Sequence, residues 1–388
     1  MNIYRLTDYG VRADSGHDET AEIQKVLDMC KEGGGRVIVP AGVYNISSLR
    51  MYSDTTLVLE NGALLLGSRE CDDYEVYEIP EGVELRTDME MIPEYYDSKP
   101  WDTYRRAMIS VYGGRNISII GEGKAAIDGQ DCYDPNGEEG FRGPHIIFIT
   151  NVDGVYLEGY TAKNGGNFMH QIDNCKNVTL KNVTCLGGSD AVHLHCCEHI
   201  LIDSCTFHTG DDCIAGINMS DLHVVNCDLN TSCQLFRIGG SHFLIENCYM
   251  WGPGVYPHRK TVVRGKNDVL PQNEGRHNLL SVVIYFASPS HPAGDSRDIV
   301  FKDCTIKNAD RVLDYIADGG PLMTGAYLSE LEFDNVRFLN LLGSSVVKAS
   351  KEHPLTITMR DCGVTFRENA ESETAFDGKD PYTVVIDD

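Results

Sequence analysis

The sequence predicts an all-β chain wound into a parallel β-helix, capped by one N-terminal helix. Three observations carry this. A short motif, apolar–x–apolar–x–(Asn/Asp/Ser/Gly)–(Cys/Val/Tyr), recurs along the chain. It reads Val155-Tyr156-Leu157-Glu158-Gly159-Tyr160, then returns at 178–183, 200–205, 222–227 and 243–248, and later at 299–304, 331–336 and 357–362. Ile117-Ser118-Ile119-Ile120-Gly121 is an earlier member. The starts differ by 23, 22, 22 and 21 residues, then by 56, 32 and 26. Finally, the leucine-rich consensus is missing and no coil has room for a helix, which sets aside the competing solenoid.

Period-two alternation marks strands, and a repeat in the low twenties marks a solenoid rather than separate domains. Residues 1–388 are therefore expected to form a single domain. Coils should stack at roughly 4.8 Å, with small inward groups forming ladders, which explains the recurring Cys register. The Asn, Asp or Ser before it suits a corner, where its side chain can bond the turn backbone.

An open solenoid end exposes strand edges and needs a cap. Residues 19–31 supply one: Ile23, Val26, Leu27 and Cys30 fall at i, i+3, i+4, i+7. Asp18 can cap this helix, and Gly33-Gly34-Gly35 ends it. Strand Arg36-Val37-Ile38-Val39 and turn Pro40-Ala41-Gly42 follow. Residues 70–108 form an insertion rich in acids and aromatics (Tyr74, Tyr77, Tyr95, Tyr96, Trp101, Tyr104), either a wall of a binding groove or a cover over the coils. The interval between the copies at 243 and 299 is expected to hold about one extra coil plus loops, with 252–297 lining the groove.

Hydrophobic residues make up 42% of the chain, and there is no apolar run long enough to cross a bilayer. The first residues lack the basic and apolar regions of a signal peptide, so a cytoplasmic location is expected. A net charge of −25 argues against nucleic acid or anionic membrane as partners. The 14 cysteines are mostly single, with no CxxC pair, and read as reduced buried thiols. Zinc-ligand spacing is absent, and neither a metal nor a cofactor is expected.

The chemistry centres on Asp190 and on Gly210-Asp211-Asp212-Cys213, which starts one coil later. Asp211 follows Asp190 by 21 residues, so the period stacks them and gathers three carboxylates. Such groups repel, and their shared use is acid–base cleavage of a glycosidic bond. For Asp211 and Asp212 to reach one site the chain must bend, which Gly210 makes cheap. The next coil brings Cys233, Gln234 and Arg237. Arg264-Gly265-Lys266 places two cations at i, i+2, suited to an anion. His193 and His195, taken alone, suit packing or turn bonding better than metal binding.

At these residues the chain resembles the polygalacturonase-type glycoside hydrolases of family 28, within the pectin-lyase-like right-handed single-stranded parallel β-helices. The resemblance runs from Tyr9-Gly10-Val11-Arg12-Ala13-Asp14 to about residue 310, through Pro40-Ala41-Gly42-Val43-Tyr44, Ile127-Asp128-Gly129-Gln130 and Gly210-Asp211-Asp212-Cys213-Ile214-Ala215. It implies that Asp211 is the general acid, that Asp190 and Asp212 hold and activate water, and that Arg264 and Lys266 grip the sugar. Gln234 stands where the family carries a histidine, and His193 where it carries a second Asp. The resemblance also implies inversion, for which acid and base should stand roughly 6.5–9.5 Å apart. The expected reaction is inverting hydrolysis of a uronate-containing oligosaccharide, with His193, Gln234 and Arg237 on the substrate-binding surface. A lyase or epimerase acting on uronates and a non-catalytic carbohydrate-binding β-helix are the alternatives.

Overall fold

Every copy of the motif becomes a strand in register with its neighbours in a computed structural model that describes residues 2–87, 90, 102–258, 275–286, 295–318, 326–379 and 382–387. One ladder of parallel pairs runs Ile117, Val155, Val178, Ile200, Leu222, Phe243, Ile299, Leu331, Ile357. These side chains are all buried and stack down the interior. The strands form two parallel sheets, of 19 and 11 strands among the described residues. The long strand Gln234–Glu246 is bent so that its first half pairs with Leu279–Tyr285 and its second half with Ile299–Lys302.

That pairing corrects the expected extra coil. Phe243 lies directly against Ile299, so these two copies, 56 positions apart, belong to adjacent coils with no further coil between them. Strand Leu279–Tyr285 belongs to the stretch that joins them.

The corner before the Cys register explains the motif's polar position. Asn182, Ser204, Asn226, Asn247, Asp303, Asn335 and Asp361 all adopt the left-handed conformation, with φ between 48° and 56°. Asn and Asp enter this region at least cost after Gly. Some of their side chains bond along the stack: Asn247 Nδ2 donates to Asn226 Oδ1 at 2.6 Å, and Asn335 Nδ2 to Asp303 Oδ1 at 2.6 Å. Beneath them the thiols donate to backbone carbonyls, as Cys227 Sγ does to Val225 O at 3.2 Å. All 14 cysteines are free thiols. Hydrogen bonding to the thiol one coil earlier, then burial, raises the Cys227, Cys248 and Cys304 thiols well above their ordinary range.

The cap helix is Thr20–Asp28, shorter than the 19–31 segment. Cys30 is buried with Ile23, Val26 and Leu27, but it sits in the turn after the helix. The N-cap position is Glu19, not Asp18, and it makes no side-chain cap bond; Asp18, one residue earlier, accepts the Thr20 N–H on Oδ1 at 2.9 Å. In the 70–108 insertion, Tyr74 and Tyr104 are buried, and Tyr77 packs edge-on against Tyr112. These described residues form a cover over the coils. Tyr95, Tyr96 and Trp101 lie outside the described residues.

Candidate active site

Three successive coils bend at the same place, between strands Thr184–Gly187 and Val192–His195, between Thr206–Thr209 and Ile214–Val225, and between Asp228–Thr231 and Gln234–Glu246. The bends are laddered by backbone bonds: Gly210 N–H to Gly187 O at 2.8 Å, Ala191 N–H to Asp212 O at 3.1 Å and Cys213 N–H to Gln234 O at 3.2 Å. Position 210 must be glycine because a Cβ there would meet Pro257 O at 2.2 Å and Gly188 O at 2.8 Å. The backbone of Asp211 is pinned from both sides, since the hydroxyls of Thr209 and Thr231 both donate to its carbonyl.

The period-based expectation holds for the carboxylates. One oxygen each of Asp190, Asp211 and Asp212 lies within 4.8 Å of the others, and all three residues are about 1% exposed. That is the spacing of the nearest oxygens, one per residue, and not the acid-to-base separation of roughly 6.5–9.5 Å that inversion requires. The Asp212 N–H donates to Asp190 Oδ1 at 3.2 Å, which draws the two bends together.

Such a cluster needs compensating positive charge. Arg142 Nη2 donates to Asp211 Oδ2 at 2.8 Å, and Arg237 Nε donates to Asp212 Oδ2 at 2.7 Å. Arg237 Nη2 also lies 3.8 Å from Asp190 Oδ2, and His193 Nδ1 lies 3.0 Å from that oxygen. The Arg142 side chain is 3% exposed. Burial opposes its charge, yet Glu138, Asp211, Glu139 and Asp190 together hold its pKa well above the ordinary value. Its Nη1 bonds Asn167 Oδ1 at 3.1 Å, its Nε bonds Glu139 Oε2 at 3.1 Å, and the guanidinium lies over the Phe168 ring.

The cluster forms the floor of a cleft of about 280 Å³. Gln234 is half-buried at the wall, with its N–H on Asp212 Oδ1 at 3.3 Å. Arg237 also lines the cleft, but its guanidinium is committed to carboxylates and packs 4.4 Å over Phe286, so it holds the cluster together before it holds any substrate. His193 is fully buried behind Asp190, stacked between Phe168 and His195, and does not reach the cleft. His195 in turn pairs with Asp173 at 3.2 Å. Burial pushes Asp173 up to about 6, against the pull of His195. Arg264 and Lys266 lie outside the described residues.

Sequence reasoning missed Glu138, Glu139, Arg142, His258 and Arg276, all of which line the cleft. The first three sit on a loop packed without clearance: a Cβ at Gly143 would meet Cys132 O at 1.9 Å, and one at Gly137 would meet Arg142 O at 2.0 Å. The available signal was the charge cluster Glu138-Glu139 and Arg142 bracketed by Pro135, Gly137, Gly143 and Pro144. Arg276 points its guanidinium at the same cleft. Its Nη1 is buried and has no hydrogen-bond partner among the described residues.

No helix among the described residues is long and apolar enough to cross a membrane. Residues 78–232 match the model of Glycosyl hydrolases family 28. An exo-poly-alpha-D-galacturonosidase of Dickeya chrysanthemi is 24% identical over 355 residues, covering 79% of this chain and 55% of that protein. The chain thus spans about half the length, or less, of the first curated relatives it matches. Among solved structures, a hyperthermoactive exopolygalacturonase from Thermotoga maritima is similar with a TM-score of 0.65 and 16% identity, covering 100% of this chain and 92% of that one. A family 28 exopolygalacturonase of Yersinia enterocolitica gives 0.61 and 19%, covering 100% and 78%. These likenesses establish the right-handed parallel β-helix. On that fold, residues 78–232 carry the match to the family 28 glycosyl hydrolases, and the chain as a whole is similar to exo-polygalacturonases.

Proposed function

We propose that the chain is an inverting glycoside hydrolase that cleaves a glycosidic bond in a uronate-containing oligosaccharide by general acid/base catalysis. The observation that carries this reading is the gathering of Asp190, Asp211 and Asp212 on the floor of one cleft. Asp211 protonates the leaving oxygen. Arg142, 2.8 Å away, then meets the negative charge that Asp211 acquires. Asp190 and Asp212 hold the attacking water and take its proton. Arg237 touches both and His193 touches Asp190, which holds the two carboxyl groups in place for that task. Arg276 offers its guanidinium to the uronate carboxylate, with Arg264 and Lys266 as further grips outside the described residues.

The experiment is incubation with uronate and neutral oligosaccharides in ¹⁸O-water. Products are read by mass, and the new anomeric centre by NMR at early times. Hydrolysis at the uronate bond should add one labelled oxygen and give the inverted anomer. A product absorbing as a new C=C bond would instead make the protein a lyase, and unchanged sugar would make it a binding module. The retained anomer would overturn the single-displacement mechanism. Arg276→Gln should raise KM for uronate substrates at least about tenfold more than for neutral ones; equal losses would remove the uronate assignment.

A further inference from the structure

The geometry points to a site for one Zn²⁺ or similarly soft divalent cation, formed by Asp211, Cys233 and His258, whose occupation switches the carboxylate cluster off. One potential ligand atom of each residue lies within 4.8 Å of the other two. Zinc binds sulfur at about 2.3 Å and nitrogen or oxygen at about 2.0–2.2 Å, so ligands around one tetrahedral ion stand roughly 3.3–3.8 Å apart. Side-chain shifts of about an ångström close the triangle.

The backbones that carry the ligands are already held together. Cys233 N–H donates to Thr231 Oγ1 at 2.9 Å, and the same hydroxyl bonds Asp211 O. Ser232 Oγ donates to Tyr256 O, tying the next bend to the segment that carries His258. His258 N–H is bonded to Arg276 O at 2.9 Å. The His258 ring lies with Nδ1 3.2 Å from Gly210 O. A carbonyl accepts only, so this bond places a proton on Nδ1 and assigns the role of ligand atom to Nε2. A backbone carbonyl on the second ring nitrogen is the usual way a ligating histidine is oriented.

The donor set of thiolate, imidazole and carboxylate suits zinc and other borderline-soft ions, not calcium or magnesium. All three residues line the cleft, which leaves a fourth position for water. Binding releases the Cys233 thiol proton to solvent. Because the ion takes an Asp211 oxygen, occupancy removes the general acid; that consequence rests on the hydrolase reading above, whereas the site itself does not. Sequence spacing could not reveal these ligands, since positions 211, 233 and 258 sit on separate coils and a loop.

The test uses the full chain, stripped with a chelator and titrated with Zn²⁺ by calorimetry, then with Co²⁺ by absorbance. One ion per chain should bind, and cobalt should give a near-ultraviolet thiolate charge-transfer band. Cys233→Ser should abolish the band, and both Cys233→Ser and His258→Asn should weaken binding at least about tenfold. No stoichiometric binding, or binding undiminished in Cys233→Ser, would overturn the site. Activity of the unmodified chain should fall in step with occupancy and return with chelator; full activity at saturating zinc would overturn the switch. Binding is read without turnover, so it stands or falls separately from the hydrolase reading.

Discussion

Two corners of the same coils stand in opposite relation to the repeat. At the corner from Asn182 to Asp361 each coil repeats one solution: a left-handed polar residue followed by a small buried group, usually a thiol. At the bends carrying Asp190, Asp211-Asp212 and Cys233-Gln234, the backbone ladder persists, and what the register stacks is charge: Asp190 lies over Asp212, with Asp211 beside them, before Gln234 ends the run. The first corner satisfies itself, coil upon coil. The second concentrates negative charge and must import Arg142 from a loop and Arg237 from the adjoining strand. Stacked neutral groups build the scaffold, and stacked charge builds the site.

The largest expected effect follows from the carboxylates. Asp211→Asn and Asp212→Asn should each lower kcat by roughly 10²–10⁴-fold with an unchanged circular dichroism spectrum. Either variant at full activity would reduce this corner to another structural ladder. Next comes Arg142→Gln, which removes the buried cation faced by Glu138, Asp211, Glu139 and Asp190 and should cost about 3–5 kcal/mol in denaturant unfolding. Adding Asp211→Asn should recover part of that loss. No recovery would mean that the two residues are not coupled.

Acid should separate the corners further. Burial pulls His145 down to about 3 and His170 to about 4. Between those values and the ordinary histidine pKa, the unfolded chain binds protons that the folded one refuses, so stability falls as pH drops. Asp173, raised to about 6, works the other way: it is protonated in the fold first, so stability rises as pH falls toward its ordinary value. Two histidines against one carboxyl should leave a net loss of roughly 3 kcal/mol between pH 6.5 and 4. His145 packs against Tyr104, Phe148 and Phe168, and neither ring nitrogen has a hydrogen-bond partner among the described residues. His145→Phe should therefore flatten the acid limb of a Tm-against-pH curve without lowering Tm at pH 7. The smallest effect belongs to the thiol corner: Cys227→Ala should cost about 1–2 kcal/mol and leave kcat unaltered. A large drop in activity there would erase the contrast between the corners.

The sequence made the periodic parts legible. The coil register could be read because strands and left-handed corners are local and repeat, and the carboxylate cluster because its 21-residue offset matches the period. What escaped lies where the period breaks. Arg142 reaches Asp211 on a loop whose path is set by glycine contacts at Gly137 and Gly143, which no pattern encodes. The 56-residue interval reads as an added coil because length alone cannot tell strands from loops. His193 was expected on the substrate-binding surface because the resemblance sets it where the family carries a second Asp; its ring lies buried against Asp190 instead.

The stacking of coils also works as a ruler with coarse marks. Groups on neighbouring coils are offset along the stack by one strand spacing, about 4.8 Å, whatever their identity. Substitution cannot adjust that component. A longer side chain, Glu for Asp, adds roughly 1.5 Å of reach, and only insertion or loss of a whole coil moves the next mark. Remodelling this cleft for a bulkier sugar is therefore a choice between fine steps in side-chain length and one large step in coil number, with little available in between.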